Sequence, residues 1–279
     1  MTDPINHDSP LDADAAVSIQ SQPSLDDLRP KTLAELPGND VVRKILSQQM
    51  LAGSVPQLVL FHGPSGSGKT TFSHILAAHR YCLERKGIGD PCRRCVMCKK
   101  GVAAIMDFEE FTGADLEDQW KWWLSRRSML LKQSITFFLD ESQGLSRERQ
   151  RVWHRDLETA KGMVIFATTH LFEIDDALVN RFYPNVYELH RPSPEEVVKY
   201  LDSLYKSLGL AVKQEHLLRI ASSYECDMRK CVNFGHNAAR QLPGPNKEIT
   251  HDYLDVFLGN TPLKSPTKSE KGQRRSPKL

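Results

Sequence analysis

The stretch Gly63-Pro64-Ser65-Gly66-Ser67-Gly68-Lys69-Thr70-Thr71 holds the most specific chemistry in the sequence. It matches the pattern G-x-x-x-x-G-K-(S/T), which suits the phosphates of a nucleoside triphosphate such as ATP. Gly66 and Gly68 allow the backbone to curl so that successive N–H groups face phosphate oxygens. A helix starting near Lys69 adds the positive end of its dipole. Lys69 is placed to reach the β- and γ-phosphates, and the Thr70 hydroxyl to ligate Mg²⁺. A second set of groups fits the same reaction. Ile135-Thr136-Phe137-Phe138-Leu139 is an apolar run that delivers Asp140 and Glu141 at its end. Asp140 suits a magnesium ion held through water, and Glu141 suits the orientation and activation of an attacking water.

The third set is Cys82-x9-Cys92-x2-Cys95-x2-Cys98, four of the chain's six cysteines. Two C-x-x-C steps sharing a thiol, with a fourth thiol upstream, can surround one tetrahedral Zn²⁺. Arg93, Arg94, Lys99 and Lys100 offset the charge of four thiolates. A redox dithiol would not need four cysteines at this spacing. An iron–sulfur cluster is the other occupant that such thiols admit.

These groups need a parallel sheet to hold them. Leu58-Val59-Leu60-Phe61 reads as a buried strand before the glycine loop, and Phe72, Ile75, Leu76 and His79 repeat at helical spacing after it. A helix is predicted over Asp40 to about Leu51, with Asn39-Asp40 as its cap, and another over roughly 147–160. Strands are predicted at Met163 to Ala167, ending in Thr168-Thr169-His170, and at Val186 to Leu189. Strand–helix alternation implies an α/β fold with ligands at the strands' carboxyl ends. From Ser193 the pattern is wholly helical, with starts near Pro194, Glu215, Arg229 and His251. Residues 1–25, and 261–279 with Lys264, Lys268, Lys271, Arg274, Arg275 and Lys278, read as tails without periodicity. The basic end is a solvated tail or an arm for DNA phosphates.

At 279 residues, 40% hydrophobic and 26% charged, the composition is that of an ordinary globular chain, and a net charge of +2 selects no partner. No apolar run reaches the length of a membrane span, and the start lacks a secretory pattern. The expectation is a cytoplasmic protein with no membrane partner.

In combination, these segments resemble the AAA+ ATPases of the DNA clamp-loader group, in particular bacterial DNA polymerase III gamma/tau and delta-prime subunits, with replication factor C more distant. Arg29-Pro30-Lys31-Thr32-Leu33-Ala34-Glu35-Leu36-Pro37-Gly38-Asn39 resembles the family's opening "RPKTFxELxGN", which lies by the adenine. The four-cysteine insert at about 82–98 is characteristic of the bacterial subunits. The helix holding Leu157-Glu158 resembles "LLKTLEEP". The resemblance implies Thr169 as sensor 1, Arg181 (in Asn180-Arg181-Phe182, where the family has Ser-Arg-Cys) as an arginine finger for a neighbour's ATP, and Arg229 (in Asp227-Met228-Arg229-Lys230, similar to "GDMRRAL") as sensor 2.

The resemblance therefore implies a P-loop AAA+ sheet over residues 26–191 with a zinc insert, then a helical lid over 192–260. It further implies ATP hydrolysis coupled to remodelling a DNA-bound complex, with loading of a sliding clamp as the specific task. The partners would be further copies or related AAA+ subunits, and primed DNA or a single-strand/double-strand junction. Three departures stand out. Ser-Arg-Cys is Asn-Arg-Phe, Ser142-Gln143 follows the acids in place of Ala/Val-His, and a short basic tail stands where the family has a collar domain of roughly a hundred residues. Those departures keep two alternatives open. One is a non-motor delta-prime-like scaffold. The other is an AAA+ ATPase of transposition, phage or plasmid replication, or defence that does not act on a clamp. An RNA helicase is poorly supported, because the box after Asp140 differs and the second motor domain is absent.

Overall fold

The structure is a computed structural model that describes residues 23–84, 89–100, 108–111, 118, 120–121, 136–160, 162–244 and 247–259. The tail expected at 261–279, residues 1–22 of the other tail, and Ile135 lie outside the described residues. Among the described residues five parallel strands form the central sheet: β1 (Leu58–His62), β2 (Phe108–Phe111), β3 (Thr136–Leu139), β4 (Met163–Thr168) and β5 (Val186–Glu188). Their spatial order is β2-β3-β4-β1-β5. Both faces of β1 are covered, so it reads as a continuous apolar run rather than an alternating one.

Val59 and Phe61 point into a core with Leu46, Met50, Phe72 and Ile75. These come from α1 (Asp40–Leu51) and α2 (Lys69–Tyr81). Leu60 faces the other way, into a core with Phe137, Trp153, Leu157, Leu178 and Phe182. That layer is built by α4 (Arg147–Glu158) and α5 (Asp176–Phe182). The short α3 (Val96–Lys100) belongs to the cysteine insert. Side-chain caps set where several helices begin: Ser146 accepts from the Arg149 N–H, and Asp175 from the Ala177 N–H.

After β5 the chain crosses into a second core holding Val197, Leu201, Tyr205, Leu217, Ile220, Cys231 and Leu254. Its helices are α6 (Pro194–Ser207), α7 (Gln214–Ser223), α8 (Met228–Gln241) and α9 (His251–Leu258). Ser193 and Glu196 form a capping box at the start of α6.

The expectation of a wholly helical pattern from Ser193 onward is corrected here. β6 (Leu210–Val212) and β7 (Lys247–Ile249) pair in parallel, three residues each. Strands this short leave no alternation to read. The expected tail boundary at residue 25 also moves. Ser24 and Asp27 cap one another across a turn, and the Pro23 carbonyl faces His236 Nε2 at 3.0 Å. Among the described residues no helix is long and apolar enough to cross a membrane.

Candidate nucleotide-binding site

The carboxyl ends of β1, β3 and β4 gather the polar groups that the sequence singles out. Between β1 and α2 the glycine loop turns tightly. At Gly63 a Cβ would sit 2.0 Å from the Leu189 carbonyl oxygen, and at Gly66 (φ +77°) 2.3 Å from an Asp227 carboxylate oxygen. Only glycine meets both demands, a positive φ and an approach by other backbone or by the lid.

Lys69 is buried, and its Nζ donates to the carbonyls of Gly63 (2.7 Å) and Pro64 (3.1 Å). Burial pushes its ammonium below the ordinary lysine value, while Glu141 and Asp140 oppose that shift. The Thr70 hydroxyl donates to Asp140 Oδ2 at 3.0 Å, so the two groups expected beside a magnesium ion already touch. Among the described residues the buried hydroxyl of Ser67, itself in the loop, has no hydrogen-bond partner. These features fit the phosphates of a nucleotide and its metal ion.

A cleft runs from this loop to the second core. It is lined by Ser65, Gly66, Ser67, Gly68, Lys69, Thr70, Thr71, Asp140 and Glu141 at one end. Leu25, Leu28, Arg29, Pro30, Leu36, Pro37, Pro192, Tyr200, Met228, Arg229 and Val232 line the rest. One end is polar and the other largely apolar, as a phosphate-and-base ligand requires. Arg29 lines the cleft and pairs with Asp26 at 2.9 Å; Arg229, just inside α8, reaches it from the lid.

Thr169 lies one residue beyond β4 and does not line the cleft. Its hydroxyl donates to Glu141 Oε2 at 3.2 Å and accepts from Gln143 Nε2 at 3.1 Å. Gln143 also donates to Glu141 and accepts from Thr168 Oγ1 at 2.7 Å. The glutamine that breaks the family pattern thus ties the β3 acid to the end of β4. Arg181 is elsewhere. Its guanidinium contacts His154 Nε2 at 2.9 Å and pairs with Glu158, both on α4.

Three further contributors have contacts that the sequence motifs do not specify. Asn39 was expected to cap α1, but its side chain makes no capping bond. It donates instead to the Ser67 (3.4 Å) and His190 (2.9 Å) carbonyls, and its oxygen accepts from the His190 N–H at 2.8 Å. Arg191 donates to the Ser65 carbonyl at 3.2 Å and the Glu225 carbonyl at 3.2 Å, and lies 3.7 Å from Asp227. Asp227 in turn caps α8 through the Lys230 N–H.

The four insert cysteines form a separate centre. One sulfur from each of Cys82, Cys92, Cys95 and Cys98 lies within 4.8 Å of every other. The backbone N–H of Cys92 donates to Cys82, that of Cys95 to Cys92 and that of Cys98 to Cys95, at 3.3–3.4 Å. Burial opposes ionisation of Cys95, yet the N–H donors of Cys98 and Leu83 and the neighbouring thiols outweigh it and bring it to about 6. Four converging sulfurs fit a tetrahedral zinc ion.

With this geometry in view, comparison with known proteins places the chain. DNA polymerase III subunit gamma of Buchnera aphidicola is 26% identical over 212 residues, covering 73% of this chain and 56% of that protein. Replication factor C subunit 2 of Phaeosphaeria nodorum is 24% identical over 272 residues, covering 88% and 64%. Its sequence relatives thus include DNA polymerase III and replication factor C subunits. The resemblance to that AAA+ group is shown by these homologues. Protein STICHEL-like 2 of Arabidopsis thaliana shares 45% identity over 71 residues, 25% of this chain and 8% of that protein. The chain spans less than two thirds of each of these relatives. No family model matches it. Among solved structures, the RuvB Holliday junction branch migration motor of Thermotoga maritima superposes with a TM-score of 0.62 at 20% identity, covering 82% of this chain and 72% of that one. The likeness to RuvB shows the parallel-sheet α/β fold.

Proposed function

We propose that this chain is an AAA+ ATPase subunit of the clamp-loader type, which couples ATP binding and hydrolysis to remodelling a DNA-bound complex, with the loading of a sliding clamp as its task. The observation that carries this reading is the cleft in which Lys69 and Thr70 of α2 and Asp140 and Glu141 after β3 meet Arg229 from the lid. The clamp-loader relatives support the biological assignment.

In this reading Lys69 leaves its carbonyl partners for the β- and γ-phosphates, while the N–H groups of the glycine loop bind the remaining oxygens. Thr70 and Asp140 hold the magnesium ion. When bound, magnesium neutralises charge on the phosphate oxygens. Glu141 orients the attacking water and accepts its proton on a carboxylate oxygen. The Thr169 hydroxyl and Gln143 amide hold that carboxylate in place until the substrate arrives. Arg29, Leu36, Pro37 and Met228 hold the base and sugar end. Arg229 carries the state of the γ-phosphate into α8 and so into the lid, and Arg181 completes the charge clamp on a neighbouring subunit's nucleotide. For that it must leave Glu158 and His154. Cys82, Cys92, Cys95 and Cys98 hold zinc. A DNA partner is supported by α4, where Arg147, Arg151 and Arg155 stand exposed at four-residue intervals along one stripe.

The test is ATP turnover per protomer across protein concentrations, with and without primed DNA, for wild type and Arg181→Ala. Turnover that rises with concentration and with DNA, and collapses in Arg181→Ala, supports the motor reading. Measurable ATP binding with turnover near zero under every condition favours the delta-prime-like scaffold instead.

A further inference from the structure

We infer that the cysteine insert braces the base-side wall of the nucleotide cleft, so that metal occupancy in the insert sets nucleotide affinity. This rests on the reading of the cleft as a nucleotide site and extends it to a part of the chain that does not touch the ligand.

The wall in question is the segment from Arg29 to Pro37, whose Arg29, Pro30, Leu36 and Pro37 line the cleft. It has little structure of its own, only a three-residue 3-10 turn at Leu33–Glu35. A segment without a backbone ladder holds its place through side chains that reach it from elsewhere. Arg43 of α1 donates to the Leu33 carbonyl at 3.3 Å, and two further side chains come from the insert. Asp90, two residues before Cys92, accepts the Leu33 backbone N–H at 2.7 Å. Arg93, directly after Cys92, pairs with Glu35. The other carboxylate oxygen of Glu35 accepts the Lys31 N–H at 2.7 Å, passing the tie along the segment toward Arg29. Gly89 packs closely on α1, where a Cβ would meet Leu51 at 3.1 Å.

Both ties flank a cage sulfur. Cys92 lies between Asp90 and Arg93, so binding Cys92 to a metal fixes the loop from which both side chains project. The phosphate end is held differently, by β1, the first turn of α2 and the Asn39 and Lys69 hydrogen bonds; α2 meets the cage at its far end, where Cys82 caps it. Metal loss would therefore loosen the base side and leave the phosphate side in place. The exposed Arg93–Glu35 pair is the weaker of the two ties and the partly buried Asp90 bond the stronger.

The experiment uses the full zinc-loaded chain and measures the affinity of ADP, of a fluorescent ATP analogue and of inorganic tripolyphosphate. Asp90→Ala is expected to weaken both nucleotides about tenfold at unchanged zinc content, the effect of losing one hydrogen bond to a charged group. Tripolyphosphate, which has no base, should bind as to wild type. Asp90→Asn keeps an acceptor oxygen and should restore nucleotide affinity. Removing zinc from wild type should reproduce the nucleotide loss, with little further loss when Asp90→Ala is stripped. Amide exchange at Leu33 should quicken in Asp90→Ala and in the stripped protein. Nucleotide affinity unchanged in Asp90→Ala or in the stripped protein would overturn the inference, and so would an equal loss for tripolyphosphate. A wild-type chain that binds none of the three, like its Lys69→Ala control, would sink the nucleotide reading itself and the inference with it.

Discussion

Gln143 joins Glu141 to Thr169, so the acid proposed to orient water is held toward β4 rather than left to sample rotamers. Glu141→Gln should therefore keep nucleotide affinity and lower turnover by about a hundredfold or more, the usual scale for losing a general base. Single-turnover hydrolysis beside equilibrium binding reads both quantities. Gln143→Leu should also lower turnover while leaving affinity unchanged, because Gln143 does not line the cleft. Lys69 gives a pH prediction. Burial holds its ammonium below the ordinary lysine value, so phosphate binding is at full strength below that lowered pKa and is lost as pH rises through it. Titrating nucleotide affinity from neutral to alkaline pH should show the loss beginning earlier than for an exposed lysine, and Lys69→Arg should remove it.

At the scale of elements, α4 carries the packing that holds β3 and β4 in register with the site. Trp153 stacks on Trp120 with ring centroids 4.2 Å apart and lies edge-on to Phe137 at 5.7 Å. Trp153→Ala should cost about 3–5 kcal/mol of stability, read by urea unfolding. What the sequence reveals follows from burial. β1, β3 and β4 are interior strands covered on both faces, and they show as apolar runs with boundaries right to about a residue. β2, Phe108-Glu109-Glu110-Phe111, was not foreseen. Among the described residues it is an edge strand bonded only to β3, and with two glutamates between its phenylalanines it presents no run. The site divides the same way. Lys69, Thr70, Asp140 and Glu141 are legible because phosphate chemistry dictates their types and spacing. Asn39 and Arg191 are not, because each acts through backbone carbonyls that only the folded chain brings near.

At the scale of the whole molecule, the two cores meet at the glycine loop. Asp227 touches Gly66, caps α8, and lies by Arg191, which also holds Ser65. Gly66→Ala would place a methyl group against that carboxylate at a positive φ. The expected result is a displaced lid, seen as faster proteolysis around residues 190–193, and faster nucleotide release. The contact has a mechanical consequence. α8 works as a lever with its fulcrum on the phosphate loop and its load among the helices of the second core. A displacement of a few tenths of an ångström at Gly66 is multiplied along the 14 residues of α8 before it reaches Gln241. The surface the lid offers to another molecule is thus geared to whatever occupies the loop.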